Sequence, residues 1–130
     1  MAHPGTFRRV GRLEIPGGGQ VFVQRGYAYI GHLEPPAGTS IVDVSDPKRP
    51  RVVSHLTVPP STHSHKVRVY DDIMLVNSER FGKWRGPFQG GLKIYDIADR
   101  EKPREIAFWR CAGTGVHRFG SDERYAYISP

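Results

Sequence analysis

The chain has 130 residues, a formal net charge of +6 and 38% hydrophobic residues. That is enough for one modest core and too little for two ordinary domains. No apolar run approaches the ~20 residues of a membrane helix, and the single cysteine, Cys111, excludes an intrachain disulfide and a cysteine-based metal knuckle, leaving it to read as a small buried hydrophobe.

In chain order, the opening MAHPGTFRRVGRLEIP carries basic residues but lacks the continuous apolar stretch of a signal peptide, so cytoplasmic residence is expected. Within it, RRVGRLEIP from Arg8 matches RVVSHLTVP from Arg51, with Pro16 over Pro59, which predicts an outermost strand over 7–16 that completes a sheet at the other end of the chain. Short alternating runs of Val, Ile, Tyr and Phe, punctuated by Gly and Pro, then predict strands over 20–23, 27–32, 39–44 and 51–58. Four more follow over 65–70, 73–78, 91–97 and 104–109, and a last hairpin over 118–129. GGG at Gly17–Gly19 and the Asp71-Asp72 pair read as turns.

The chain repeats itself. TSIVDVSDPKRPRVVSHL from Thr39 aligns with GLKIYDIADREKPREIAF from Gly91, with Asp96 standing 53 residues after Asp43. In each, a strand closes on an Asp suited to bond the N–H groups of the following turn, and a Pro leads into the next strand. Three hairpins also align, placing Tyr29, Leu75 and Tyr127 at equivalent positions. Four antiparallel strands in a repeat of about fifty residues are the signature of a β-propeller blade. The expected fold is therefore all-β: a partial β-propeller in one domain over 1–130, with repeats at 18–59, 60–112 and 113–130. It comprises two four-stranded blades, the outer strand 7–16 and a C-terminal half blade. Because a propeller closes with about four or more blades, the chain reads as part of a larger ring, or as one that self-associates through exposed blade faces.

SIVDVSDPKRP and LKIYDIADREKP resemble the hallmark of LVIVD-repeat propellers, an apolar run ending in Asp. HSHKV, IMLVN, GTGVHRF and RYAYISP are similar to segments of bacterial members of that group. Most of that family has no assigned reaction. Its distant similarity to selenium-binding proteins implies, at most, a thiol-oxidising activity with a histidine-linked metal.

Two histidines, His65 and His117, lie ten residues before Leu75 and Tyr127, so they hold the same place in successive repeats. In a propeller that place is the start of the innermost strand, where equivalent residues converge on the central channel. His63, two residues earlier, points to the same side if the strand is already extended. Three neutral imidazoles sharing a space would suit Zn, Cu or Fe, so a divalent transition metal is the expected cofactor. The competing reading is structural: His65 and His117 bond a neighbouring blade's backbone and His63 sits in a loop. His32, Glu79, Arg80 and Arg118 are weaker candidates for ligand contacts beside the channel, and loop polarity or surface ion pairing explains them equally well. His3 and His55 have no repeat-related support and read as structural or exposed.

No Walker sequence, HExxH, GxSxG or CxxC occurs, and GTGVHRFG precedes a hairpin, not a helix. Lys and Arg are dispersed, and the one basic-aromatic cluster, RFGKWRGPF from Arg80, reads as a loop, so a nucleic-acid partner is not expected. Three functions stay open: a metal- or small-ligand-binding propeller of unassigned activity, a protein-interaction scaffold with structural histidines, and a metal-dependent oxidoreductase.

Overall fold

The computed structural model describes residue 5 and residues 7–129. His3 and the extreme ends of the expected 1–130 domain lie outside the described residues. Among those described there are eleven strands, all paired antiparallel, and no helix long and apolar enough to cross a membrane.

The first sheet is built in chain order from β1 (Gly18–Gln24), β2 (Tyr27–His32), β3 (Ala37–Asp43) and β4 (Arg51–Thr57). Arg25 and Gly26, with φ of 50° and 78°, make the tight turn between β1 and β2 whose twist matches the flanking strands. The second sheet contains β5 (Thr62–His63), β6 (Val67–Tyr70), β7 (Ile73–Arg80), β8 (Gly90–Asp96) and β9 (Arg104–Cys111), with β5 and β6 end to end along one edge of β7. β10 (Arg118–Ser121) and β11 (Ala126–Ser129) form a third, two-stranded sheet. The two Asp residues that anchor the sequence repeat close β3 and β8 alike: the Asp43 carboxylate accepts from the Ser45 N–H at 3.0 Å and the Asp96 carboxylate from the Ala98 N–H at 3.0 Å.

Residues 7–16, expected as an outer strand, enter no ladder among the described residues. The segment runs past the first sheet, where the Pro16 carbonyl meets His32 Nδ1 at 3.1 Å and the Gly17 carbonyl accepts from the Leu33 N–H at 3.0 Å.

The sheets stack face to face because alternation gives each an apolar side. Tyr29 and Ile41, directly opposed on β2 and β3, pack on Val67, Val69, Met74, Val76 and Ile97 of the second sheet. The other side of the second sheet carries Leu92 and Leu75, which pack on Val116, Phe119 and Ile128 of the third. Cys111, expected to be buried, is half-buried at the edge of this second core. Hairpin tips tie the first two sheets at one end: Arg25 pairs with Asp71 at 2.6 Å, and Arg100 donates to the Tyr29 hydroxyl at 3.3 Å. At both ends of the stack the outward faces keep large apolar side chains exposed, Val21 and Val23 on the first sheet, Tyr125 and Tyr127 on the third.

The feature that positions the site is a break in the edge of the second sheet. Between β5 and β6 the regular pairing with β7 lapses over Ser64–Lys66, where the Lys66 carbonyl still accepts from the Asn77 N–H at 3.3 Å and the Asn77 side chain fills the gap. Its Oδ1 accepts from the Lys66 N–H at 2.8 Å, and its Nδ2 donates to the Val116 carbonyl of the next repeat at 3.0 Å. The freed His65 carbonyl turns to the first sheet and accepts from the Gln20 N–H at 2.9 Å. Glycine is required there: a Cβ on Gly31 would stand 2.6 Å from the His65 carbonyl carbon, and one on Gly19 would stand 2.8 Å from the His65 oxygen. Backbone against backbone cannot relax as a side chain does, so Gly31→Ala is expected to cost about 1–3 kcal/mol in urea unfolding. Gly120→Ala, where a Cβ meets nothing within 4 Å, is expected to stay within about 0.5 kcal/mol of the parent. Equal midpoints for the two variants would contradict the close approach.

Candidate functional site

β5, the segment after it and the end of β7 bring four groups together. His63 opposes Glu79 across the β5–β7 ladder, and Gly115 bridges to Glu79 from the other side, which carries His117 in beside it. The His63 and His65 rings lie 4.0 Å apart between centroids, and the His65 and His117 rings 5.2 Å apart. Glu79 sits between all three: its Oε2 is 3.9 Å from His63 Nδ1, 4.0 Å from His65 Nδ1 and 2.9 Å from His117 Nδ1. The last is a hydrogen bond, donated by His117 Nδ1–H because a carboxylate only accepts, and it fixes the His117 tautomer.

The first two separations are too long for hydrogen bonds. Accordingly His65 Nδ1 is buried with no partner, as is His63 Nε2, and an orphaned buried nitrogen costs free energy that a native structure rarely spends without use. The donor atoms of His63, His65 and Glu79 all lie within 4.8 Å of one another, so this group can hold a metal ion. Two ligand atoms each about 2.0–2.2 Å from a common ion stand at most roughly 4.4 Å apart, which the 3.9 and 4.0 Å spacings to Glu79 respect. The donor set, two imidazoles and one carboxylate, matches the chemistry of borderline divalent ions.

Burial keeps these imidazoles neutral. Desolvation, reinforced by the neighbouring His63, Lys66 and His117 charges, pushes His65 down to about 4. Desolvation also lowers His63, against the opposing pull of the Glu79 carboxylate. Neutral imidazole is the form that donates a lone pair.

The other sequence candidates fall elsewhere. His32 is fully buried on the opposite face of the first sheet, bonded to Pro16 and, through Nε2 at 2.7 Å, to Ser40. Arg80 follows Glu79 but points to the other side of β7, where its guanidinium lies 5.4 Å from the Phe88 ring centroid and reaches the Trp84 and Gly113 carbonyls at 3.5 and 3.4 Å. Arg118 opens β10 and is exposed. His55, read from sequence as having no assigned part, contacts Ser40. Glu79 is the residue whose place at the centre was least visible in sequence. β7 runs through it to Arg80 instead of ending before it, and only the pairing with His63 reveals its position.

No protein-family model, no curated protein and no solved structure matches this chain.

Three imidazoles, His32, His63 and His65, have folded pKa values held below the ordinary 6.5, in each case chiefly by burial. Above that value neither state is protonated at these sites and pH has no leverage through them. Below it the unfolded chain binds more protons than the folded one, so stability falls as pH falls, continuing to about pH 4 for His65. Urea unfolding in the presence of chelator is expected to give a midpoint that drops steadily from pH 7 to pH 5, with a shallower drop in His65→Asn. A midpoint independent of pH in that range would contradict the burial of these rings.

Proposed function

We propose that this chain is part of a β-propeller of the LVIVD-repeat type and that it binds a divalent transition metal ion, Zn, Cu or Fe, through His63, His65 and Glu79. The observation that carries the metal reading is the buried, unpartnered His65 Nδ1 standing 4.0 Å from the Glu79 carboxylate, with His63 Nδ1 3.9 Å from the same oxygen. The propeller reading is supported by the face-to-face stacking of successive sheets and by the position of β6, the first strand of its hairpin, against β1, β2 and β10 of the neighbouring sheets. In a propeller β1, β6 and β10 are the innermost strands, and the metal would lie at the mouth of the channel they surround.

His117 acts on the site through Glu79. By donating Nδ1–H to both carboxylate oxygens, at 3.0 and 2.9 Å, it orients the carboxylate and ties a residue of the third sheet to ligands of the second. Three protein ligands leave a metal coordination position open, and an ion so held supplies Lewis acidity towards a small ligand bound there. His65, the most buried of the three, excludes water from one side.

Chelator-stripped protein reloaded with Zn²⁺ is expected to retain about one ion per chain through gel filtration. Glu79→Gln and His65→Asn are expected to lose it, and His117→Ala to weaken binding by about 10–100-fold while leaving the stoichiometry intact. Protein that retains no metal, or that retains it equally in Glu79→Gln and His65→Asn with circular dichroism unchanged, would instead make these histidines structural and favour a protein-interaction scaffold.

A further inference from the structure

Equivalent positions of the two repeats line two cavities of different chemistry, one between the first and second sheets and one on the first sheet alone. In the second sheet Phe108 opposes Lys93, which opposes Val76; in the first sheet His55 opposes Ser40, which opposes Ile30. A cavity of about 370 Å³ is lined by Phe108, Pro59 and the segment Pro87–Gln89. Its counterpart, about 510 Å³, is lined by His55, Pro16 and the segment Leu33–Ala37. In the second-sheet cavity Lys93 is spent on Glu105 at 2.9 Å and on the Phe108 ring at 5.3 Å, which leaves an apolar wall. The first-sheet cavity replaces that pair with a buried chain of hydrogen bonds.

The proton order in that chain is forced. The Pro16 carbonyl only accepts, so His32 Nδ1, 3.1 Å away, carries the proton and Nε2 of the neutral ring accepts. Ser40 therefore donates its hydroxyl proton to His32 Nε2 at 2.7 Å, which leaves Ser40 Oγ as acceptor towards His55 Nδ1 at 2.9 Å. His55 must then be the Nδ1–H tautomer, with a bare Nε2 lone pair on the ring edge away from Ser40. Ser40 is 1% exposed and His32 fully buried, whereas His55 is exposed, so the chain runs from the interior to the cavity wall. Water cannot compete for its inner members, and the outer tautomer is held without a metal.

Among the described residues, the polar side chains on the wall of this cavity are His55 and Glu34, and both accept; the rest of the lining is Pro, Gly, Leu and Ala. An occupant must therefore bring donors, and beside a carboxylate a positive charge is favoured. We propose that this cavity binds a small organic ammonium ion, its N–H groups donated to His55 Nε2 and the Glu34 carboxylate and its apolar body laid against Leu33, Pro35 and Pro36. The site shares no residue with the metal group and stands or falls independently of it.

The test is an NMR titration of the full chain with benzylammonium in chelator at pH 7.5, with long-range ¹H–¹⁵N correlation of the histidine rings. The expected result is His55 protonated on Nδ1 and saturable shifts at the Ala37 amide and the His55 ring, with a Kd of about 0.1–1 mM. Glu34→Gln and His55→Phe, the latter installing the residue of the equivalent cavity, are each expected to weaken binding at least about tenfold, and neutral benzyl alcohol to bind correspondingly less well. Ser40→Ala, which touches no ligand, is expected to release the His55 tautomer and weaken binding as well. An Nε2–H tautomer at His55 in the parent protein, shifts centred on His63 and His117, no saturation by ~10 mM, or unchanged affinity in Glu34→Gln and His55→Phe would each overturn the proposal.

Discussion

The side chain of Asn77 does what a stretch of β-ladder would otherwise do. By accepting from the Lys66 N–H and donating to the Val116 carbonyl, it lets the chain leave β7 between β5 and β6 without stranding buried backbone groups, and it joins the second sheet to the third. Everything at the candidate site depends on that release. It frees the His65 carbonyl for Gln20 of the first sheet, holds the His65 ring beside Glu79, and brings Gly115 and His117 alongside. One amide, 1% exposed, thus couples three sheets and sets the spacing of the imidazoles.

Repetition supplies the scaffold and departures from repetition supply the chemistry. The Asp43 and Asp96 turns and the Tyr29–Ile41 and Leu75–Ile94 pairs are built alike in both repeats. Where the repeats differ, the proposed sites are found: Gly19 lies against the His65 backbone where a second imidazole could have stood, and His55 and Ser40 replace Phe108 and Lys93. A fold that stacks similar sheets can vary such positions at low cost, because the ladders and cores do not pass through them.

The strands were legible because alternation, turn residues and the 53-residue spacing all point the same way. The second-sheet strands expected over 73–78, 91–97 and 104–109 appear as β7, β8 and β9 with ends shifted by a few residues. His65 and His117, expected at the same place in successive repeats, lie with their ring centroids 5.2 Å apart, and His63 joins them from β5. What sequence could not show was anything set by pairing across the chain. Glu79 enters the group through its register with His63, and the His32–Ser40–His55 chain joins three strands whose neighbourhood no local spacing reveals. The expected strand over 65–70 also failed at its first residues, because the Asn77 side chain outcompetes the ladder there. Residues 7–16 have the sequence of a strand, but no ladder partner among the described residues.

The most direct measurement is X-ray absorption at the zinc edge of the loaded protein. Binding of one ion by His63, His65 and Glu79 predicts a first shell of two imidazoles and one carboxylate at about 2.0–2.2 Å, with the outer-shell scattering that imidazole rings produce. A shell of oxygens alone, or one containing sulfur from Cys111, would place the metal elsewhere and contradict the arrangement of His63, His65 and Glu79 described above.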